Sequence, residues 1–134
     1  MRADLTLHLR DRGFEVDEIG PAEGGRSDYP DQALVVAQAV SNGEARLGVL
    51  VCGTGIGMSI AANKVPGVRA ALVHDTQTAE LAALHNDANI LCLGGRLMEP
   101  EVARQLVDIW LDTSFEARHQ PRLDKIKTIE HAQL

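Results

Sequence analysis

Aromatic residues are nearly missing from this chain: two phenylalanines, one tyrosine and one tryptophan in 134 residues. That scarcity excludes a stacking platform for nucleic-acid bases. A basic excess is lacking as well. Thirteen Lys and Arg against nineteen Asp and Glu leave a formal charge of −6, the wrong sign for a surface that grips a phosphate backbone. A small phosphorylated ligand stays open, because it needs only a local group of arginines and amides. No apolar run is long enough to span a bilayer and none reads as a signal peptide, so no membrane association and a reducing cytoplasm are the expectation. Cysteine is limited to Cys52 and Cys92, both inside strand-like runs. With no CxxC spacing and no His/Cys cluster, no metal site is expected.

What the chain does have is a hydrophobic share of 45%, enough for one good core in a single domain over residues 1–134. The segment Val49 to Asn63 organises the rest. It begins as an aliphatic run suited to a strand buried on both faces. It breaks into the alternating glycines of Gly53-Thr54-Gly55-Ile56-Gly57 and resumes as a small-residue helix. Strand, glycine loop and helix in that order form a nest of backbone N–H groups at the positive end of a helix dipole, which holds negative charge. Cys52 sits at the lip of the nest, where the same field favours a thiolate. A base beside an anion hole is equipment for taking a proton from a carbon next to a carbonyl.

Around this segment, apolar periodicity predicts alternating strands and helices. Met1–Arg12 reads as a short helix stopped by Gly13, with His8 on its surface. Phe14–Ile19 alternates as a half-exposed strand, and Gly20–Arg26 is a loop. A helix capped by Ser27 or Asp28, with Pro30 in its first turn, runs through Ala33, Leu34, Ala37 and Val40, and Tyr29 either packs against it or contacts a ligand. Ala45–Val51 is a strand, as are Val68–Val73 and Asn89–Leu93. Asp75 to Thr78 caps a helix ending at His85-Asn86. Glu99–Leu111 is amphipathic, with Val102, Leu106, Ile109 and Trp110 on one side. Arg118–Leu134 closes the chain as a helix with Leu123, Ile126 and Ile129 at helical spacing. Such alternation predicts an α/β, doubly wound (Rossmann-like) parallel sheet with a C-terminal helix. Ligands gather at the carboxyl ends of such strands.

The loop is not a nucleotide fingerprint: it lacks the Lys-Ser/Thr ending of a P-loop and the dinucleotide spacing. By spacing alone its anion is either a substrate phosphate or an enediolate oxygen. Cys92 has no comparable neighbourhood and reads as core. His85-Asn86-Asp87-Ala88-Asn89 is either a helix-capping cluster or a contributor of proton transfer through His85. Arg96, Arg118 and Arg122 are candidate phosphate grips.

The stretch Cys52 to Lys64, with Gly67-Val68-Arg69-Ala70-Ala71, His85-Asn86-Asp87-Ala88-Asn89, Asp28-Tyr29-Pro30 and Arg118-His119, closely resembles the ribose-5-phosphate isomerase type B family, which includes the galactose-6-phosphate isomerase subunits. The resemblance covers nearly the whole chain. It implies metal-free, cofactor-free interconversion of an aldose phosphate and its ketose through a cis-enediol, with Cys52 as base. It implies that the amides from Gly53 to Gly57 (Gly53, Thr54, Gly55, Ile56, Gly57) hold the enediolate. Thr54 and His85 assist ring opening, His85 donates a proton, and Asn86 holds sugar oxygens. Arg96, Arg118 and Arg122 bind toward the phosphate. A homodimer or homotetramer with shared active sites is implied too.

Two departures stand out. The family opens with a strand ending in Asp-His, and this chain starts inside the following helix; the expectation is a start placed downstream of the true one, or a trimmed chain. Glu116-Ala117 stands where the family has two glycines before the arginine, which bears on the reach of Arg118. The expected activity is the isomerisation of ribose 5-phosphate and ribulose 5-phosphate. The alternatives are a tetrose or hexose phosphate, such as galactose 6-phosphate or allose 6-phosphate, or a non-catalytic phosphosugar-binding partner subunit.

Overall fold

Three short aliphatic runs supply the sheet. In the computed structural model, which describes residues 1–21, 25 and 27–132, these are β1 (Gly48–Cys52), β2 (Ala70–Leu72) and β3 (Ile90–Gly94). They pair in parallel in the order β1-β3-β2. Ile90 is in register with both Gly48 and Ala70, and Gly94 with Cys52. All five residues of β3 are buried, as a central parallel strand requires, which is why Ile-Leu-Cys-Leu-Gly carries no polar member.

Helices cover both faces: α1 (Arg2–Asp11), α2 (Tyr29–Ser41), α3 (Ile56–Ala62), α4 (Thr76–Leu84), α5 (Pro100–Asp112) and α6 (Gln120–His131), the last entered through a 3-10 turn at Ala117–His119. The pleat sorts the strand side chains. Val49, Val51, Leu91 and Leu93 face a core with Leu5, Ala79, Ala83, Leu106 and Trp110 from α1, α4 and α5. Leu50, Cys52, Ile90 and Cys92 face Ala33, Ala37, Val40, Met58 and Ala62 from α2 and α3. This is the doubly wound α/β arrangement that the alternation predicts. Small alanines let the helices lie close to the sheet.

Two anchors place the segments that matter for the site. Thr78 N donates to Asp75 Oδ1 at 2.7 Å and Asp75 N to Thr78 Oγ1 at 3.3 Å, a reciprocal cap that starts α4. Trp110 Nε1 donates to the Ala88 carbonyl at 3.0 Å, pinning α5 beneath the turn between α4 and β3.

Several elements differ from expectation. Phe14–Ile19 is irregular and pairs with no strand among the described residues; alternation makes a strand only where a neighbour supplies the ladder. Most of the loop Gly20–Arg26 lies outside the described residues. β2 is shorter than Val68–Val73. At its edge the Asn63 amide takes the place of a further strand, bonding Ala70 O and N at 2.9 and 2.8 Å. Asp28 stands at the N-cap of α2 without a side-chain capping bond. His8 is not simply solvated: its Nε2 lies 2.8 Å from Asp108 Oδ1, in a row of pairs tying α1 to α5 that includes Arg12 with Asp108 and Asp112. Val102 is exposed rather than on the buried face of α5, and on α6 only Leu123 is buried while Ile126 and Ile129 face outward.

Candidate active site

The carboxyl end of β1 delivers Cys52 to a corner built by glycines. Its carbonyl accepts from Gly95 N at 2.7 Å, and the Gly53 carbonyl accepts from Arg96 N at 3.0 Å, so the chains leaving β1 and β3 stay paired past the sheet. Gly55 lies in the left-handed region at φ +80, and a Cβ there would come within 2.7 Å of Leu72 Cδ1 and 2.9 Å of the Leu93 carbonyl carbon. Only glycine fits both demands. This bend aims the Gly55 N–H back at Cys52 Sγ, 3.1 Å away. Ile56 N donates to Thr54 Oγ1 at 3.2 Å. The amides of Gly53, Thr54 and Gly57 take no protein acceptor among the described residues.

Cys52 is half-buried, whereas Cys92 is fully buried, as expected of a core residue. Burial pushes the Cys92 thiol up to about 12, with the charge of Cys52 adding to it. The exposed Arg96 arches over Gly53, where a Cβ would meet its Nε at 3.2 Å. Tyr29 packs not on its own helix but over Gly57 of α3, so close that a Cβ on Gly57 would fall 2.4 Å from Cζ. That contact places a phenol beside the glycine loop. Cys52, Thr54, the loop Gly53–Gly57 and Arg96 are therefore brought together.

His85, Asn86, Arg118 and Arg122 are not with them. His85 is the C-cap of α4 and precedes β3, so it lies at the amino end of the sheet. Five residues of β3 separate the two ends, about 13 Å at the rise of a parallel strand. At this second corner Asp87 and Asn89 do structural work, as the capping reading expects. Asp87 takes a left-handed φ of +45 and its carbonyl accepts from Arg69 Nε and Nη2 at 3.0 and 2.8 Å. The Asn89 side chain bonds Arg69 N and Gly67 O at 2.8 and 2.9 Å. The Asn86 carbonyl accepts from Arg69 Nε at 3.2 Å, and the residue is exposed.

The chain after α5 returns to His85 because Glu116 N donates to the Leu84 carbonyl at 2.9 Å. Arg118 Nε then donates to Glu116 Oε2 at 2.8 Å, while Glu116 Oε1 stands 3.9 Å from His85 Nε2. The rings of His85 and His119 stack with centroids 4.3 Å apart. Arg122 Nη1 lies 2.7 Å from His119 Nδ1. Arg118 holds the Glu116 carboxyl below its ordinary value, first by the hydrogen bond and then by charge. Burial, then the charges of His85, Arg118 and Arg122, hold His119 below the usual histidine value.

Glu116 and His119 were not among the residues singled out by charge or spacing. In the sequence His119 enters only with Arg118 in the family resemblance, and Glu116 only as a departure from it. His85, Glu116 and His119 bring ligating atoms within 4.8 Å of one another, which their spacing in the sequence conceals. Because an arginine has only donors, His119 Nδ1 accepts from Arg122 and Nε2 carries the hydrogen. That Nε2 is buried without a partner among the described residues. A buried N–H on a ring whose other nitrogen is held by a guanidinium suits an oxygen ligand better than a cation.

Among the described residues no helix is long and apolar enough to cross a membrane. Residues 1–126 match the family described as Ribose/Galactose Isomerase. The chain is 44% identical to ribose-5-phosphate isomerase B of Escherichia coli (strain K12) over 131 residues, 97% of this chain and 88% of that one. It is 40% identical to D-erythrulose-4-phosphate isomerase of Pectobacterium atrosepticum over 133 residues, 98% of this chain and 88% of that one. The solved type B ribose 5-phosphate isomerase of Trypanosoma brucei superposes with a TM-score of 0.92 at 51% identity, over 96% of this chain and 89% of that one.

Proposed function

The chain belongs to the ribose/galactose isomerase family, and from that premise we propose that it interconverts ribose 5-phosphate and ribulose 5-phosphate with Cys52 as the base. It is an aldose–ketose isomerase of sugar phosphates, and the reading of a non-catalytic binding subunit falls away. In the proposed mechanism the Cys52 thiolate removes the proton from the carbon beside the carbonyl. The C–H electron pair becomes the C=C of an enediolate, and the carbonyl oxygen takes the negative charge. Moving the hydroxyl proton from the second oxygen to the former carbonyl oxygen, and returning the carbon-bound proton to the neighbouring carbon, completes an internal oxidation and reduction, so no outside electron carrier enters the balance. The observation that carries this reading is the Gly55 amide aimed at Sγ from 3.1 Å, in a loop where the amides of Gly53, Thr54 and Gly57 take no protein acceptor among the described residues and are available to an oxyanion.

The separation of the two corners supports a composite site. About 13 Å of β3 keeps His85, Asn86, Arg118 and Arg122 away from Cys52 of the same chain. A second copy related by a two-fold axis supplies them, since an isologous pair places each corner against its opposite. In that homodimer, or a homotetramer built from it, His85 donates a proton to the enediolate or the ring oxygen. Thr54 assists ring opening and Asn86 holds sugar hydroxyls. Arg96 approaches the phosphate from the Cys52 side, and Arg118 and Arg122 from the partner copy.

The five-carbon substrate follows the names of the Escherichia coli and Trypanosoma brucei proteins. The Pectobacterium relative's name favours a second reading, the same chemistry on a four-carbon phosphate. A panel of ribose 5-phosphate, erythrulose 4-phosphate, allose 6-phosphate and galactose 6-phosphate separates them, with ribose 5-phosphate expected to be turned over fastest. Cys52→Ser should lower kcat on the preferred substrate by about 10²–10⁴-fold with unchanged circular dichroism. Undiminished turnover would refute the assignment of the base.

A further inference from the structure

We propose that Glu116 is a positioning residue that passes its charge from Arg118 to His85 when a sugar phosphate takes hold of Arg118. The proposal rests on the roles given above to His85 and Arg118. Three contacts place Glu116 between them. Its backbone N–H is bonded to the carbonyl of Leu84, the residue before His85, at 2.9 Å. One carboxylate oxygen, Oε2, accepts from Arg118 Nε at 2.8 Å. The other, Oε1, is 3.9 Å from His85 Nε2, too far for a hydrogen bond and near enough to form one after a small rotation.

Arg118 is the outermost of the three, with two thirds of its side chain exposed. A phosphate dianion arriving there forms charge-assisted, forked hydrogen bonds that a single carboxylate oxygen does not match. Losing Arg118 leaves Glu116 with an unneutralised charge one side-chain rotation from the imidazole. Closing on His85 Nε2 satisfies that charge and favours the protonated ring, the form that donates to a sugar oxygen.

The remaining charges around His85 act the other way. His119 stacks on it from the 3-10 turn, with Arg118 beside it, and Arg122 of α6 backs His119. Asp87, two residues along, is turned to Arg69 at 3.5 Å. Glu116 is thus the carboxylate that faces His85 among the described residues. Its charge is committed to Arg118 until substrate arrives, so the protonated, proton-donating ring is favoured only in the occupied site.

Kinetics of the full chain test this with ribose 5-phosphate. In the wild type the alkaline limb assigned to His85 should lie at higher pH in kcat, which reports the occupied site, than in kcat/KM, which reports the free enzyme. Glu116→Gln keeps the backbone bond to Leu84. It should lower KM about threefold, because phosphate no longer displaces a carboxylate ion from Arg118. It should lower kcat about tenfold and narrow the gap between the two limbs. A raised KM with unchanged kcat, a gap unaltered by Glu116→Gln, or coincident limbs in the wild type would overturn the proposal. A Cys52→Ser enzyme that stays active strikes the assigned base instead, so the two failures are told apart.

Discussion

Cys52 and His85 stand at opposite ends of one parallel sheet. Cys52 is the last residue of β1, in register with Gly94, and His85 closes the helix that leads into β3 at Ile90. Parallel strands send all their carboxyl ends one way. A residue following a strand and one preceding a neighbouring strand therefore cannot meet within one short chain. In the proposed mechanism they cooperate across two copies.

That separation makes subunit mixing decisive. Cys52→Ser and His85→Asn proteins should each be nearly inactive alone. After unfolding and refolding together in equal amounts, half of the dimers carry one damaged and one intact site, so about a quarter of wild-type activity should return. No recovery beyond the separate variants would place both residues in a site within one chain.

The two thiols should differ sharply toward an alkylating reagent. Cys52 is half-buried at the loop, while Cys92 is fully buried and its thiol is pushed up to about 12. Mass spectrometry after iodoacetamide treatment near neutral pH should find label on Cys52 alone in the folded protein and on both in urea. Ribose 5-phosphate should slow the first reaction. Labelling of Cys92 at a similar rate would contradict the described core.

Gly55 has both a left-handed φ and no space for a Cβ beside Leu72 and Leu93. Gly55→Ala should destabilise the protein by about 1–3 kcal/mol, the usual cost of overpacking. It should also swing the amide away from Sγ. Urea denaturation measures the first effect and kcat the second. An unchanged midpoint with full activity would mean that the loop tolerates a different bend.

His119 makes stability depend on pH. Its folded value is depressed, by burial first, below the ordinary 6.5. Between the two values the unfolded chain binds more protons, so stability rises with pH over that window and is lost as pH falls below about 6.5 toward the folded value. Melting temperature followed from mild acid to neutral should rise more steeply in the wild type than in His119→Gln. Parallel curves would assign the acid sensitivity to other groups.

Much of this protein is a matter of local pattern. Ile90–Gly94 is apolar throughout because both faces of a central strand are covered. Gly55 is glycine because its φ is positive, and Asp75 with Thr78 marks the start of α4. Each signal lies within a few residues, and so the α/β alternation and the glycine corner beside Cys52 are legible in the amino-acid order alone. What the order could not convey is which segments meet. Phe14–Ile19 alternates like a strand yet pairs with none among the described residues, since a ladder needs a partner. Ile126 and Ile129 keep helical spacing yet face outward, because burial depends on what packs against α6. Glu116 and His119 reach His85 where the Glu116–Leu84 backbone bond, a contact across 32 residues, brings the chain back to it. Local chemistry settled the parts, and the direction of the parallel sheet decided that Cys52 and His85 look to different ends of the molecule.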